Sequence, residues 1–201
     1  MIFHTFLIAA LASVAGIAAE AAPAAQGIER APTAVETAFA YPRPAYRAHL
    51  AGTASLDCAV DPSGGPKGCD VVSETPSGHD FGKAAKKLVA YMRFHPASAQ
   101  YRTRFDINFE PTQSDKWPDY LHLPAAEEIQ HLWPQGTRGE YWVGCRIGAD
   151  ATLHDCEIVK PVGVSNDLQK AAVETMRLFQ FSPASFHGEP APSFVVVPLR
   201  F

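Results

Sequence analysis

The sequence has no cluster of lysine and arginine: 17 basic and 21 acidic residues are scattered over 201 positions, for a net charge of −4. A nucleic-acid binder needs a basic patch to neutralise phosphates, so that class is set aside. Motifs that carry chemistry are missing as well. The eight histidines, at 4, 49, 79, 95, 122, 131, 154 and 187, show neither His-x-x-x-His nor His-Glu-x-x-His spacing, so no metal site is encoded on one helix. No Gly-x-Ser-x-Gly elbow occurs. Gly64-Gly65 lacks the Lys-Ser/Thr that follows a phosphate-binding loop. Ser77, His79 and Asp80 are sequence neighbours whose side chains diverge, which is a poor triad. No catalytic residue, metal ligand or cofactor is assigned, and the chain reads as a binding module and not an enzyme.

What is present suffices for a folded protein: 47% of residues are hydrophobic and 19% charged, enough apolar material for one sizeable core or two small ones. Residues 1–22 begin with an apolar run and end in small residues around Ala19 to Ala22. They read as a secretory signal, with a retained membrane anchor as the rival because the run is about 18 residues long. Residues 23–40, rich in Ala and Pro, read as a flexible lead. The four cysteines form two sets, Cys58 with Cys69 and Cys145 with Cys156. An oxidising compartment would close both as disulfides, and the wide spacing lacks the short knuckle of a zinc site.

Shifting the chain by 87 residues superimposes two segments without a gap: Gly52 on Gly139, Cys58 on Cys145, Cys69 on Cys156, Phe94 on Phe181 and Pro96-Ala97 on Pro183-Ala184. About five extra residues then intervene, and Phe105, Ile107 and Phe109 correspond to Val197, Leu199 and Phe201. Each copy orders its elements alike. Thr53 to Val60 and Glu140 to Ile147 are β-prone, each followed by a turn and a second short run, which predicts a hairpin. That register sets Cys58 opposite Cys69 and Cys145 opposite Cys156. Helical periodicity follows over Asp80 to Phe94 and Asn166 to Phe181, with Asp80 and Asn166 or Asp167 as N-cap candidates. Alternating apolar residues then predict a third strand. The fold class is α+β: two tandem β-β-α-β units, each a three-stranded antiparallel sheet with one main helix, at residues 41–110 and 119–201, with 111–118 as linker.

Tyr41-Pro42, Gly52-Thr53, Val71-Val72-Ser73-Glu74-Thr75-Pro76, Phe81-Gly82-x-Ala84-Ala85 and Phe94-x-Pro96-Ala97 together resemble the TonB C-terminal domain family, in its cysteine-containing variety. The second copy is similar from Trp117 onward, with Val159-Lys160-Pro161-Val162-Gly163 replacing the Ser-Glu-Thr-Pro phrase. The resemblance implies a periplasmic protein that binds a short segment of a TonB-dependent outer-membrane receptor by strand addition. The expected partner-binding residues lie on the third strands: Arg104, Phe105, Ile107 and Phe109, and Val195, Val197, Leu199 and Phe201. The alternatives are that these edges pair with one another, within the chain or in a homodimer, or that the protein is a structural envelope component or an anchored transducer. Membrane contact is expected only if the N-terminal segment is retained. A lead of about 20 residues reaches at most ~70 Å when fully extended, short for a transducer that must cross the periplasm.

Overall fold

The computed structural model describes residues 27–112 and 114–201. The signal or anchor, residues 1–22, lies outside the described residues. The expected flexible lead is corrected from residue 27 onward. Strand β1 (Ile28–Arg30) pairs with β4 (Arg93–Phe94), and helix α1 (Ala34–Ala40) follows. The helix forms because Thr33 and Glu36 make a reciprocal capping box, the Thr33 hydroxyl accepting from the Glu36 N–H at 3.0 Å and the Glu36 carboxylate from the Thr33 N–H at 2.8 Å. Val35 and Ala40 are buried, so an Ala-rich stretch that looks like a linker is held by packing that composition does not reveal.

The first unit runs α2 (Arg43–Arg47), β2 (Gly52–Val60), β3 (Pro66–Thr75), α3 (Phe81–Leu88), β4 and β5 (Tyr101–Phe109), and its sheet has the order β3-β2-β5. The second runs β6 (Tyr120–His122), α4 (Ala126–Gln130), β7 (Glu140–Ile147), β8 (Leu153–Lys160), α5 (Asn166–Met176), β9 (Gln180–Phe181), the hairpin β10 (Ala184–Phe186) and β11 (Glu189–Ala191), and β12 (Ser193–Arg200), with the sheet β12-β7-β8. Both units are therefore the expected three-stranded antiparallel sheets with one main helix. The extra residues of the second copy are the β10–β11 hairpin. Disulfides Cys58–Cys69 and Cys145–Cys156 are both present, each with Cα atoms 4.1 Å apart.

Both main helices end earlier than the periodicity suggests. After Leu88 the chain tightens into a 3-10 turn, and Phe94 leaves the helical line because its N–H bonds the Gly64 carbonyl at 3.0 Å. Phe181 likewise enters β9 and pairs with Tyr120. The caps differ too. Asp80 precedes α3 in a left-handed conformation with no side-chain cap bond, and Ser165, not Asn166, caps α5 by accepting from the Leu168 N–H.

Glu74 serves the start of α3 in place of Asp80. Its carboxylate accepts from the N–H of Gly78 and Gly82, both at 2.7 Å, and of His79 at 3.2 Å. These donors, Gly82 foremost, hold the Glu74 carboxyl below its ordinary value. A depressed carboxyl contributes stability above its unfolded value and loses it as pH falls through the folded one. Glu74→Gln is therefore expected to cost on the order of 1 kcal/mol at neutral pH, as for a lost helix cap. The deficit should vanish in acid when unfolding is followed by circular dichroism across pH.

Candidate functional site

The inner faces of the two sheets are alike and the outer faces are not. Inward, Ala54, Leu56, Cys58 and Val60 on β2 match Val143, Cys145 and Ile147 on β7, all fully buried beneath α3 or α5. Outward, the first sheet carries a polar ladder: Thr53 bonds Asn108 at 2.9 Å, Ser55 bonds Asp106, and Asp57 is met by Arg102 at 3.0 Å and Arg104 at 3.7 Å. In the second copy the positions of Ser55, Asp57, Arg102 and Arg104 hold Trp142, Gly144, Phe194 and Val196. The ladder has become apolar, and α1 of the first unit sits on it. A Cβ on Gly144 would come within 2.5 Å of Val35 Cγ1, and Phe39 packs on Trp142 with ring centroids 5.9 Å apart. Polar bonds frame this contact. The Tyr91 hydroxyl donates to the Val159 carbonyl, and the Thr33 hydroxyl to Glu157. Arg30 pairs with the buried Glu36 at 2.7 Å.

Burial raises the Glu157 carboxyl above its ordinary value, with the Glu36 charge adding and the Thr33 bond opposing. The same surroundings push the Tyr91 phenol up to about 12, again chiefly by burial. For Glu157 the sign is a penalty, present in full above its folded value and relieved as pH falls through it. Glu157→Gln keeps an acceptor for Thr33 and removes the charge. It is expected to raise the melting temperature by one or two degrees at pH 7, since a gain of several tenths of a kcal/mol corresponds to roughly that shift, and to flatten its rise toward pH 5. An unchanged pH profile would contradict the assignment.

Beside these faces, the sheet edges offer backbone donors and acceptors that no other strand of the described residues takes up. The hairpin strands β3 and β8 are irregular, with register shifts between Ser55 and Leu56, Cys58 and Ala59, Trp142 and Val143, and Gly144 and Arg146. Bulges of this kind spoil an edge for further pairing. The third strands are continuous: β5 pairs with β2 from Gly52↔Phe109 to Val60↔Tyr101, and β12 pairs with β7 from Ser193↔Ile147 to Arg200↔Glu140, without a break. No other strand of the described residues pairs with either.

Backbone parity tells which residues face out. Gly139 and Phe201 exchange both backbone bonds, at 3.1 and 3.0 Å. Bonded and non-bonded pairs alternate along an antiparallel ladder. Leu199, Val197 and Val195 therefore turn N–H and C=O toward β7, and Arg200, Pro198, Val196 and Phe194 turn theirs to the open side. β5 has the same neighbour on the same side and buries the corresponding side chains, so Arg102, Arg104, Asp106 and Asn108 face out. Of the residues expected from sequence, Arg104 presents its backbone outward. Phe105, Ile107, Phe109, Val195, Val197, Leu199 and Phe201 direct backbone to the central strand and side chains to the core side, Ile107, Phe109, Val195, Val197 and Leu199 being buried. Of the outward set the sequence singled out Arg104 alone, because the apolar alternation it followed marks the core side.

The two open edges differ in one atom group. All four outward residues of β5 carry an N–H, whereas Pro198 removes one donor from β12. Beside β12 lies a groove of about 1130 Å³, walled by Tyr120, Leu123, Ile129 and Trp133 opposite Leu199 and Phe201. The Trp133 indole N–H is satisfied by the Thr175 hydroxyl at 2.8 Å. Among the described residues no group of three or more His, Cys, Asp or Glu is placed to hold a metal ion.

A family model described as "Gram-negative bacterial TonB protein C-terminal" matches residues 37–111 and 134–201, one match on each unit. No curated protein matches the chain.

Proposed function

The chain belongs to the TonB C-terminal family, and from that premise we propose that it is a periplasmic protein-binding module that accepts an extended partner segment as an added strand on β5. The partner we infer is a segment of a TonB-dependent outer-membrane transporter. Support comes from the edge itself: nine residues in unbroken register, Tyr101–Phe109, with every outward N–H unpaired by any other strand of the described residues. Such an edge templates a further strand, with main-chain bonds supplying affinity and flanking side chains supplying selectivity. Arg102, Arg104 and Asp106 place both signs of charge along it, which selects a segment of matching polarity over indiscriminate pairing. The membrane attachment of a transducer is a separate matter, and no helix of the described residues is long and apolar enough to span a bilayer.

The test is capture of a transporter from envelope extract by the chain and by its Asp106→Pro variant. Proline at 106 deletes one outward donor and leaves the β2–β5 bonds in place. Capture should fall at least tenfold while the melting temperature stays within a few degrees. Proline at 107 would instead delete a bond to β2 and unfold the unit, so it is the wrong probe. Transporter capture that is indifferent to Asp106→Pro would remove β5 as the site. A second reading, an envelope protein whose units serve chiefly to hold each other, is favoured by the seat of α1 on the second sheet, and it expects no transporter to be captured at all.

A further inference from the structure

Between α1 and α2 on one side and the outer face of the second sheet on the other, the two units leave a cleft of about 420 Å³. We propose that this cleft binds a small aromatic carboxylate, a site separate from the β5 edge and absent from a single copy of the fold.

Three observations carry the assignment. The first is the wall. Phe39, Tyr46, Trp117, Trp142 and Phe194 line the cleft, contributed by both units and the linker. Tyr46 and Trp117 already stack, with centroids 4.7 Å apart and planes at 27°, and Trp117 keeps half of its surface exposed. Flat rings held in this way present faces on which another flat ring can lie. The volume suits a ligand of one or two fused rings with a small head group, toward the low end of ligand sites, which run from roughly 300 to 1,000 Å³.

The second is charge. Arg43 and Arg47 stand one helical turn apart on α2, both exposed and both lining the cleft. Neither forms an ion pair or a side-chain hydrogen bond among the described residues, although eight other arginines and lysines do form ion pairs. No aspartate or glutamate lines the cleft. Two unpaired guanidinium groups above an aromatic floor complement one anion joined to one aromatic body, and guanidinium matches a carboxylate with paired donors.

The third is an orphan. Trp142 lines the cleft, and its indole N–H is buried with no acceptor among the described residues. A buried donor without a partner is uncommon in a folded protein. The copy-one counterpart of this residue is Ser55, which bonds across its sheet to Asp106. The second copy has therefore exchanged a satisfied polar position for an aromatic one that lacks an acceptor, on the wall of the cleft.

The probe is 2-naphthoate, titrated into the full chain and followed by tryptophan fluorescence, with 2-naphthamide as its uncharged counterpart and dodecanoate as an anion without rings. The expected result is saturable quenching by 2-naphthoate, at least tenfold weaker binding of the amide, and weaker binding again of dodecanoate. Arg43→Ala/Arg47→Ala should abolish the preference for the acid over the amide, and Trp117→Ala should weaken both ring compounds. Melting curves check that each variant is folded, and the substituted side chains are exposed or half-exposed. The proposal is overturned by the absence of saturable quenching at millimolar concentrations, by equal binding of acid and amide, or by acid binding that survives loss of both arginines. Dodecanoate binding as tightly as 2-naphthoate overturns the aromatic class. Capture through β5 is unaffected by any of these outcomes, because Asp106→Pro reads that edge separately.

Discussion

Replacing Gly144 with aspartate, the residue the first copy holds at the equivalent position, is expected to part the two units without unfolding either sheet. Gly144 is buried beneath α1, and its missing Cβ is what lets Val35 approach, with Val159 Cγ1 at 3.3 Å on the other side. Any side chain at 144 has to displace Val35, and overpacking of this kind costs roughly 1–3 kcal/mol. A carboxylate adds desolvation without a partner: the cations that hold Asp57 in the first sheet, Arg102 and Arg104, are Phe194 and Val196 in the second. An unpaired buried charge costs several kcal/mol more. The contact is therefore expected to give way before the sheet does, since α1 is one short helix and can lift. Calorimetry should resolve one transition for the parent chain into two for Gly144→Asp, and protease should cut near residues 30–40 early. Gly144→Ala, with only a methyl to place, should give the milder overpacking cost and a single transition. One transition at an unchanged temperature for Gly144→Asp would show that α1 does not couple the units.

That interface was written in the sequence in a form the repeat alignment could have exposed. Matching the copies position by position reveals the β-β-α-β order, both cysteine pairs and the extra hairpin, because these follow from similarity between the copies. The docking of α1 follows from dissimilarity: Ser55 against Trp142, Asp57 against Gly144, Arg102 against Phe194 and Arg104 against Val196. A face that is charged in one copy and apolar in the other implies a cover for the second, and an amphipathic stretch elsewhere in the chain must supply it. Val35 and Phe39, four residues apart, are that stretch, but they sit among alanines and prolines that read as a lead. Helix ends were illegible for another reason. Phe94 and Phe181 continue the helical periodicity while their backbone is claimed by Gly64 and Tyr120, distant partners that no local pattern encodes. The apolar alternation marked the third strands, which lie at the ends of their sheets, and their outward backbone needed the ladder parity that only the structure supplies.

Removing the Cys145–Cys156 bridge by double alanine substitution is the other change with a large expected effect. A cross-link spanning a separation of 11 residues constrains the unfolded chain by about 3 kcal/mol in the loop-entropy account. Each kcal/mol moves the melting temperature of a domain this small by roughly 4–8 °C, so a fall of about 12–24 °C is expected in calorimetry. The matching change at Cys58 and Cys69 closes a loop of the same length and should cost a similar amount. The two bridges differ in what they hold. Cys145 adjoins Gly144, and Cys156 adjoins Glu157, the partner of Thr33, so the second bridge also fixes the surface on which α1 rests. Combined with Gly144→Asp, loss of Cys145–Cys156 should cost less than the sum of the separate changes, since the contact it would loosen is already open; loss of Cys58–Cys69 should add in full, because residues without shared partners act independently. A double-mutant cycle in urea measures both sums. Equal additivity for the two bridges would place the second one, like the first, wholly within its own hairpin.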